Sequence, residues 1–183
     1  IAGFTATNKL YGLLEMAAVS FGYAISTYTG QNLGAQRYDR IKKGVRSSTV
    51  MALATAVTIG AVMILCGRSV LMLFISGEPD EVAKVLSIAY RYLVVMSSCL
   101  PILYILYVYR SAQQGMGDTV VPMLSGAAEL VMRIGAALLL PCIMGQDGIY
   151  LAEVAAWTGA AVLLVITYIK KERAFPKETR MEE

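Results

Sequence analysis

The sequence predicts an all-α integral membrane protein with five transmembrane helices, and three observations carry that prediction. Of its 183 residues, 57% are hydrophobic and only 16% charged, and the mean hydropathy is +0.60. A soluble domain carries about 25% charged residues, so the chain is too apolar for that class. The charges are gathered between apolar stretches, each reaching the roughly 20 residues that a helix needs to cross a bilayer. No stretch alternates polar and apolar residues with period two, and lipid tolerates only helices or closed barrels.

The first apolar stretch, 1–30, is interrupted by Lys9 and Glu15 but carries no charge from Met16 to Gln36. Gln31, Asn32, Gly34 and Ala35 close it. Gly34 is expected to allow a tight turn into a wet, basic loop reaching Arg46. The second span, 47–67, lies between Arg46 and Arg68 and has no charge. Gly77-Glu78-Pro79 then breaks the chain. Asp80 and Glu81 suit the first turn of a helix, and Val82, Val85, Leu86 and Ala89 recur at helical spacing. A short interfacial helix is therefore expected to lead into the third span, 86–112. Pro101 removes a backbone bond there and is a candidate hinge, with a harmless kink as the alternative. The fourth span, 120–144, opens with Pro122 in its first turn and contains Glu129 and Arg133. The fifth, 148–169, contains Glu153, expected to reach the interface. Residues 170–183 form a charged tail with Pro176, expected to fray or rest near anionic headgroups. The chain thus divides into a membrane unit, 1–169, and a tail, 170–183.

Five spans place the termini on opposite sides, and the basic residues choose between them. One side holds Arg37, Arg40, Lys42, Lys43, Arg46, Arg110, Lys170, Lys171, Arg173, Lys177 and Arg180; the other holds Arg68, Lys84 and Arg91. Eleven against three puts the 34–46 loop, the 113–119 loop and the C-terminus in the cytoplasm. Ile1 begins inside an apolar run, with no initiator Met and no basic segment before it. That is not a signal peptide, and the chain is expected to be the C-terminal part of a longer protein.

Ionisable residues inside spans are costly and therefore functional candidates. Glu129 and Arg133 are four apart on one helix face. They form either a structural ion pair or the polar wall of a substrate or proton cavity. Glu15 has Lys9 on a roughly opposite face. Without a partner it suits proton binding and release; paired or water-exposed, it has no coupling role. Arg91 and Arg110 flank the third span and are expected to snorkel. Tyr92, Tyr104, Tyr107 and Tyr109 serve either helix packing and interface belts or a cavity for aromatic or cationic ligands. Cys66, Cys99 and Cys142 fit no metal spacing, and their odd number leaves no complete disulfide set. The sequence has no histidine, no Walker-type loop and no nucleophile elbow. These absences argue against an enzyme, a metal centre or a cofactor. The net charge of +3 is spread in clusters, a pattern of membrane topology and not of nucleic-acid binding.

With those residues in place, the chain resembles the multidrug and toxic compound extrusion (MATE) family. The resemblance rests on Ser26-Thr27-Tyr28-Thr29-Gly30-Gln31-Asn32-Leu33-Gly34-Ala35, then Tyr38-Asp39-Arg40 and Gly44-Val45-Arg46. Supporting pieces are Leu73-Phe74, Gln114-Gly115-Met116-Gly117-Asp118, Glu129-Leu130-Val131-Met132-Arg133 and Trp157. It covers nearly the whole chain. It implies a fold of twelve helices in two six-helix lobes, of which residues 1–169 would be helices eight to twelve of the C-terminal lobe. It also implies a secondary antiporter in the bacterial plasma membrane, exporting organic, often cationic, drugs in exchange for protons or sodium ions. Its partners would be small organic substrates, membrane lipid and the N-terminal lobe of the same protein. Some members carry an acidic cation-binding residue in the tenth helix; here residues 101–107 contain none. The other expectations are a lipid-linked oligosaccharide flippase of the same superfamily, which would need a more cationic cavity, and a membrane scaffold without transport.

The sidedness is testable by cysteine labelling of intact cells. A cysteine at Ser76 is expected to react with an impermeant reagent and one at Thr179 to stay unlabelled; reaction at Thr179 overturns the assignment.

Overall fold

Five long helices account for almost all of the chain. The computed structural model describes residues 2–75, 79–145 and 147–176. In order the helices are α1 (Ala2–Gly34), α2 (Tyr38–Met72), α3 (Pro79–Gly115), α4 (Val120–Met144) and α5 (Asp147–Ala174). Among the described residues, α2, α3, α4 and α5 are long and apolar enough to cross a membrane. α1 has the length, with 33 residues. Glu15, Ser20, Ser26, Thr27 and Thr29 dilute its hydropathy.

Several boundaries differ from those read in the sequence, for one shared reason: helices continue past the hydrocarbon. α2 has 35 residues, about 50 Å of helix against roughly 30 Å of core. Arg40, Lys42, Lys43 and Arg46 therefore lie on the first turns of α2 and not in a loop. The interfacial helix and the third span are one helix, because α3 runs without a break from Pro79 and through Pro101. Lys170 to Ala174, the first residues of the charged tail, continue α5 as helix. Ser76 and residues 177–183 lie outside the described residues.

The turn after α1 corrects a second expectation. Gly34 is still helical, and the residue in the left-handed region is Gln36, at φ 57°. Arg37 N donates to Asn32 O at 2.8 Å and Gln36 N to Leu33 O at 2.9 Å, which is a Schellman closure. The α3 end closes in the same way around Gly117, at φ 78°, with Asp118 N donating to Gln113 O at 3.0 Å and Gly117 N to Gln114 O at 2.9 Å.

α3 is the central post, packed by α1, α2 and α5 and touched by α4. α4 packs mainly on α5 and turns most of its apolar surface outward. Membrane helices associate through close backbone approach at small residues, and the seams here are built that way. Gly22, Ser26 and Gly30 recur every fourth residue along α1 and meet Ser111 and Gly115 of α3. Ser48, Ala52, Ala56 and Gly60 form the buried stripe of α2. Gly60 lies against the Ser97 carbonyl, the acceptor that Pro101 leaves without its helical donor. Ala152, Ala156 and Ala160 repeat the spacing on α5 and are buried.

Polar bonds pin the end of the bundle that carries the two Schellman turns. Gln113 Nε2 donates to Leu164 O of α5 at 2.9 Å, and Thr29 Oγ1 reaches Ala112 O of α3 at 3.3 Å. Asp118 Oδ1 accepts from Val120 N at 3.0 Å and Val121 N at 3.1 Å, capping α4. Its Oδ2 accepts from Lys171 Nζ at 2.6 Å. Lys171, assisted by those backbone donors, holds the Asp118 carboxyl below the ordinary carboxylate range. The folded value is the depressed one. The latch therefore contributes stability above the unfolded carboxylate range and loses it as pH falls through the lowered value.

A Cβ at Gly115 would collide with the Ser26 backbone and the Thr29 hydroxyl. Gly115→Ala should therefore destabilise by about 1–3 kcal/mol, read as a lower thermal midpoint in detergent. Gly126→Ala, where a Cβ meets nothing within 4 Å, should leave the midpoint unchanged or raised; equal effects at the two sites would refute the close-seam account.

Candidate functional site

Helical spacing delivers the charged residues to one place. Tyr107 and Arg110 of α3 are three apart, Glu129 and Arg133 of α4 four apart, and Tyr11 and Glu15 of α1 four apart. Each pair therefore shares a face. α1 and α4 both contact α3, and α5 adds Glu153.

Four of the groups join as an alternating chain, Arg110–Glu129–Arg133–Glu153, and Glu15 and Tyr107 form a separate pair beside it. Arg110 donates to Glu129 Oε2 at 2.7 Å. Arg133 donates to Glu129 Oε1 at 3.0 Å and pairs with Glu153 Oε1 at 3.0 Å. Tyr107 donates its hydroxyl to Glu15 Oε1 at 2.5 Å. Glu15 lies within electrostatic reach of Glu153, and Tyr107 within reach of Arg110 and Glu129. Glu129 and Arg110 are mostly enclosed, with side chains 18% and 23% exposed; Arg133 is more open. Three carboxylates against two guanidiniums leave one unmatched negative charge. Arg110 Nε and Arg133 Nε are buried without an acceptor, so the network keeps donor capacity that the described residues do not use.

An aromatic wall borders the charges. Tyr11 stacks on Trp157 of α5 with ring centroids 5.6 Å apart and planes 13° apart. Tyr92 and Tyr150 meet at 4.9 Å. Trp157, Tyr92 and Tyr150 are buried, so Tyr11, half-buried, is the ring of this wall that can meet a cation beside the carboxylates. Among the described residues no group of three or more metal-type ligands gathers.

The sequence profile of the MatE family matches residues 1–139. The chain belongs to the MatE family. It is similar in fold to an inward-facing multidrug resistance MATE family transporter of the MOP superfamily, with TM-score 0.87 and 18% identity, over 97% of this chain and 40% of that one. An outward-facing multidrug resistance MATE family transporter gives TM-score 0.85 and 18% identity, over 95% of this chain and 39% of that one. A MOP superfamily transporter from Pyrococcus furiosus gives TM-score 0.88 and 18% identity, over 97% and 39%; the reverse polarity of its binding pocket suggests a different function for it. The chain spans about two fifths of the length of these transporters. No curated protein matches it.

In this MatE chain, the predicted residues separate into two groups. Glu15, Tyr107, Glu129 and Arg133 come together as described. Tyr104 does not join them: it is fully buried, and its hydroxyl donates to Leu14 O at 3.1 Å, tying α3 to α1. Gln31, Asn32, Gly34 and Ala35 lie at the distant end of α1, where Asn32 Nδ2 donates to Tyr28 O at 2.8 Å. Pro101 lies inside α3, one turn after Ser97, whose carbonyl meets Gly60 of α2.

Two expectations change. Arg110 does not snorkel, because Glu129 holds it. Glu153 does not reach outward, because Arg133 holds it. Tyr11 and the site position of Trp157 were not foreseen from sequence. For Glu153 the signal was present: an acid inside a span needs a partner, and Arg133 is the basic residue nearest the middle of the neighbouring helix.

Glu129 carries two guanidiniums, so Glu129→Gln leaves both without it. The expected loss is about 2 kcal/mol, between the small value of exposed pairs and the 3–5 kcal/mol of fully buried ones. A thermal midpoint equal to wild type in detergent would show that the network is not structural.

Proposed function

We propose that the chain forms helices eight to twelve of the C-terminal lobe of a MATE-type secondary antiporter. It exports organic cations in exchange for protons, with sodium as the alternative ion. The observation that carries this reading is the Glu15–Tyr107 pair beside a network with one unmatched negative charge. Ionised, Glu15 offers that charge to a cation lying against Tyr11, which Trp157 backs. Protonated, it leaves the two carboxylates Glu129 and Glu153 balanced by Arg110 and Arg133. Proton and cation then compete for one carboxylate, which is the minimum needed for exchange. Tyr107 orients the carboxylate in its charged form.

The fold supports the way such exchange would be gated. The five-helix unit resembles inward-facing and outward-facing transporters about equally well, at TM-scores 0.87 and 0.85. A unit that fits both states suits rocking as one body against an opposing lobe. The reading places the protein in a bacterial plasma membrane with the basic ends of α2 and α5 in the cytoplasm. The excess of carboxylates weighs against the oligosaccharide flippase, whose phosphate-bearing substrate would favour cations.

The test is efflux of ethidium from cells or vesicles carrying the protein at matched expression. Glu15→Gln is expected to cut proton-gradient-driven efflux at least tenfold. Tyr107→Phe should give an intermediate loss, since one hydrogen bond to a charged group is worth about 1.5–3 kcal/mol. Wild-type efflux and pH dependence in Glu15→Gln would remove Glu15 from coupling.

A further inference from the structure

A second polar site lies at the basic end of the bundle, away from the Glu15–Glu129 network. A cavity of about 370 Å³ opens there between α2, α3 and α5. Lys42, Lys43, Arg46 and Thr49 line it from α2, Tyr109 from α3, and Tyr168 and Glu172 from α5. Lys42 and Lys43 are adjacent, and Arg46 follows at helical spacing, so the three charges fan over one quarter of the first turns of α2. Glu172 is the one carboxylate in the lining, which leaves two unmatched positive charges. None of the three cations has an ion pair among the described residues. Lys42 instead leans over the Phe175 ring at 6.0 Å. Lys171, the neighbouring cation of α5, is already bound to Asp118.

The independent observation is Tyr168. Its ring is 97% enclosed, at 3% relative exposure, and is held edge-on by Tyr109 at 5.1 Å. Yet its hydroxyl is buried without a hydrogen-bond partner. A buried hydroxyl without a partner costs about 1–3 kcal/mol. Tyr168 is among the residues that line this cavity of excess positive charge, and an anion with acceptor oxygens bound against it would satisfy the hydroxyl. The volume has room for several water-sized groups of ~30 Å³ each. Tyr168 lies six residues before the end of α5, about 9 Å along the helix, and basic pockets between spans on the cytoplasmic side bind headgroups.

We propose that this cavity binds a phosphate group, held by Lys43 and Arg46 with Lys42 behind them and the Tyr168 hydroxyl as the fixed donor. A membrane phospholipid headgroup and a soluble phosphate share that chemistry. Binding adds no reaction step and is independent of the transport reading.

The experiment measures thermal unfolding of the full-length protein in phosphatidylcholine vesicles, in vesicles of phosphatidylcholine with phosphatidylglycerol, and in phosphatidylcholine with inorganic phosphate. The proposal expects a raised midpoint with phosphatidylglycerol, with inorganic phosphate, or with both. A rise with phosphatidylglycerol alone identifies a lipid headgroup, and a rise with inorganic phosphate identifies a soluble anion. K43Q/R46Q should weaken the apparent affinity at least tenfold, and Tyr168→Phe, which keeps the ring, about three- to tenfold. Should the double variant fail to accumulate, Tyr168→Phe carries the test. No rise with either probe, or a rise that Tyr168→Phe leaves intact, overturns the site.

Discussion

The close approach of helix backbones along α3 is the constraint on which the rest of this structure depends. In lipid, apolar side chains gain little by leaving hydrocarbon for a helix neighbour, so association depends on shape and polar contacts. Gly22, Ser26, Gly30 and Gly115 let α1 and α3 touch almost backbone to backbone, and Gly60 does the same for α2 at the Ser97 carbonyl. Those seams fix the rotation of α1 and α3 about their axes. Rotation decides whether Glu15 meets Tyr107 and whether Arg110 faces α4. The chemistry of the site is therefore set by residues that have no chemistry of their own.

The charge network follows from that scaffold. An isolated ionised group in a span is expensive, and pairing offsets the cost only where geometry supplies hydrogen bonds as well. Glu129 has one guanidinium on each oxygen, Arg133 bridges two helices, and Glu15 has a phenol. Only one charge in the set lacks a counterpart. That remainder is the Glu15 carboxylate, which lies outside the packed ion pairs and is held, among the described residues, by the phenol alone.

How much of this was legible in the sequence depended on the range of the interaction. Charge-free runs gave five helices, because the hydrocarbon length is a local requirement. The Glu129–Arg133 contact was visible because four residues is one helical turn. Arg110–Glu129 and Arg133–Glu153 were not, since they depend on how neighbouring helices rotate. Helix ends were misplaced wherever helix outlasts hydrocarbon, as at Tyr38 and Ala174. The turn was assigned to Gly34 because glycine is the usual left-handed residue, but the Schellman closure falls two residues later and Gln36 accepts the strain. The small-residue stripes were present in the letters; only the backbone showed which face they occupied.

The near-absence of burial on α4 bears on how the protein enters the membrane. A helix carrying both Glu129 and Arg133 is a poor candidate for release into lipid alone, since each charge costs about 2.5–3.5 kcal/mol on insertion scales. Its two charges cancel along its own surface, and Glu153 of α5, the next helix in the chain, meets Arg133. α4 and α5 therefore suit insertion as a preassembled hairpin, neutralised before it leaves the translocon. Docking onto α3 then comes afterwards, when Arg110 finds the second oxygen of Glu129. Arg110, Glu129, Arg133 and Glu153 would in this way serve entry into the membrane before they serve the folded bundle.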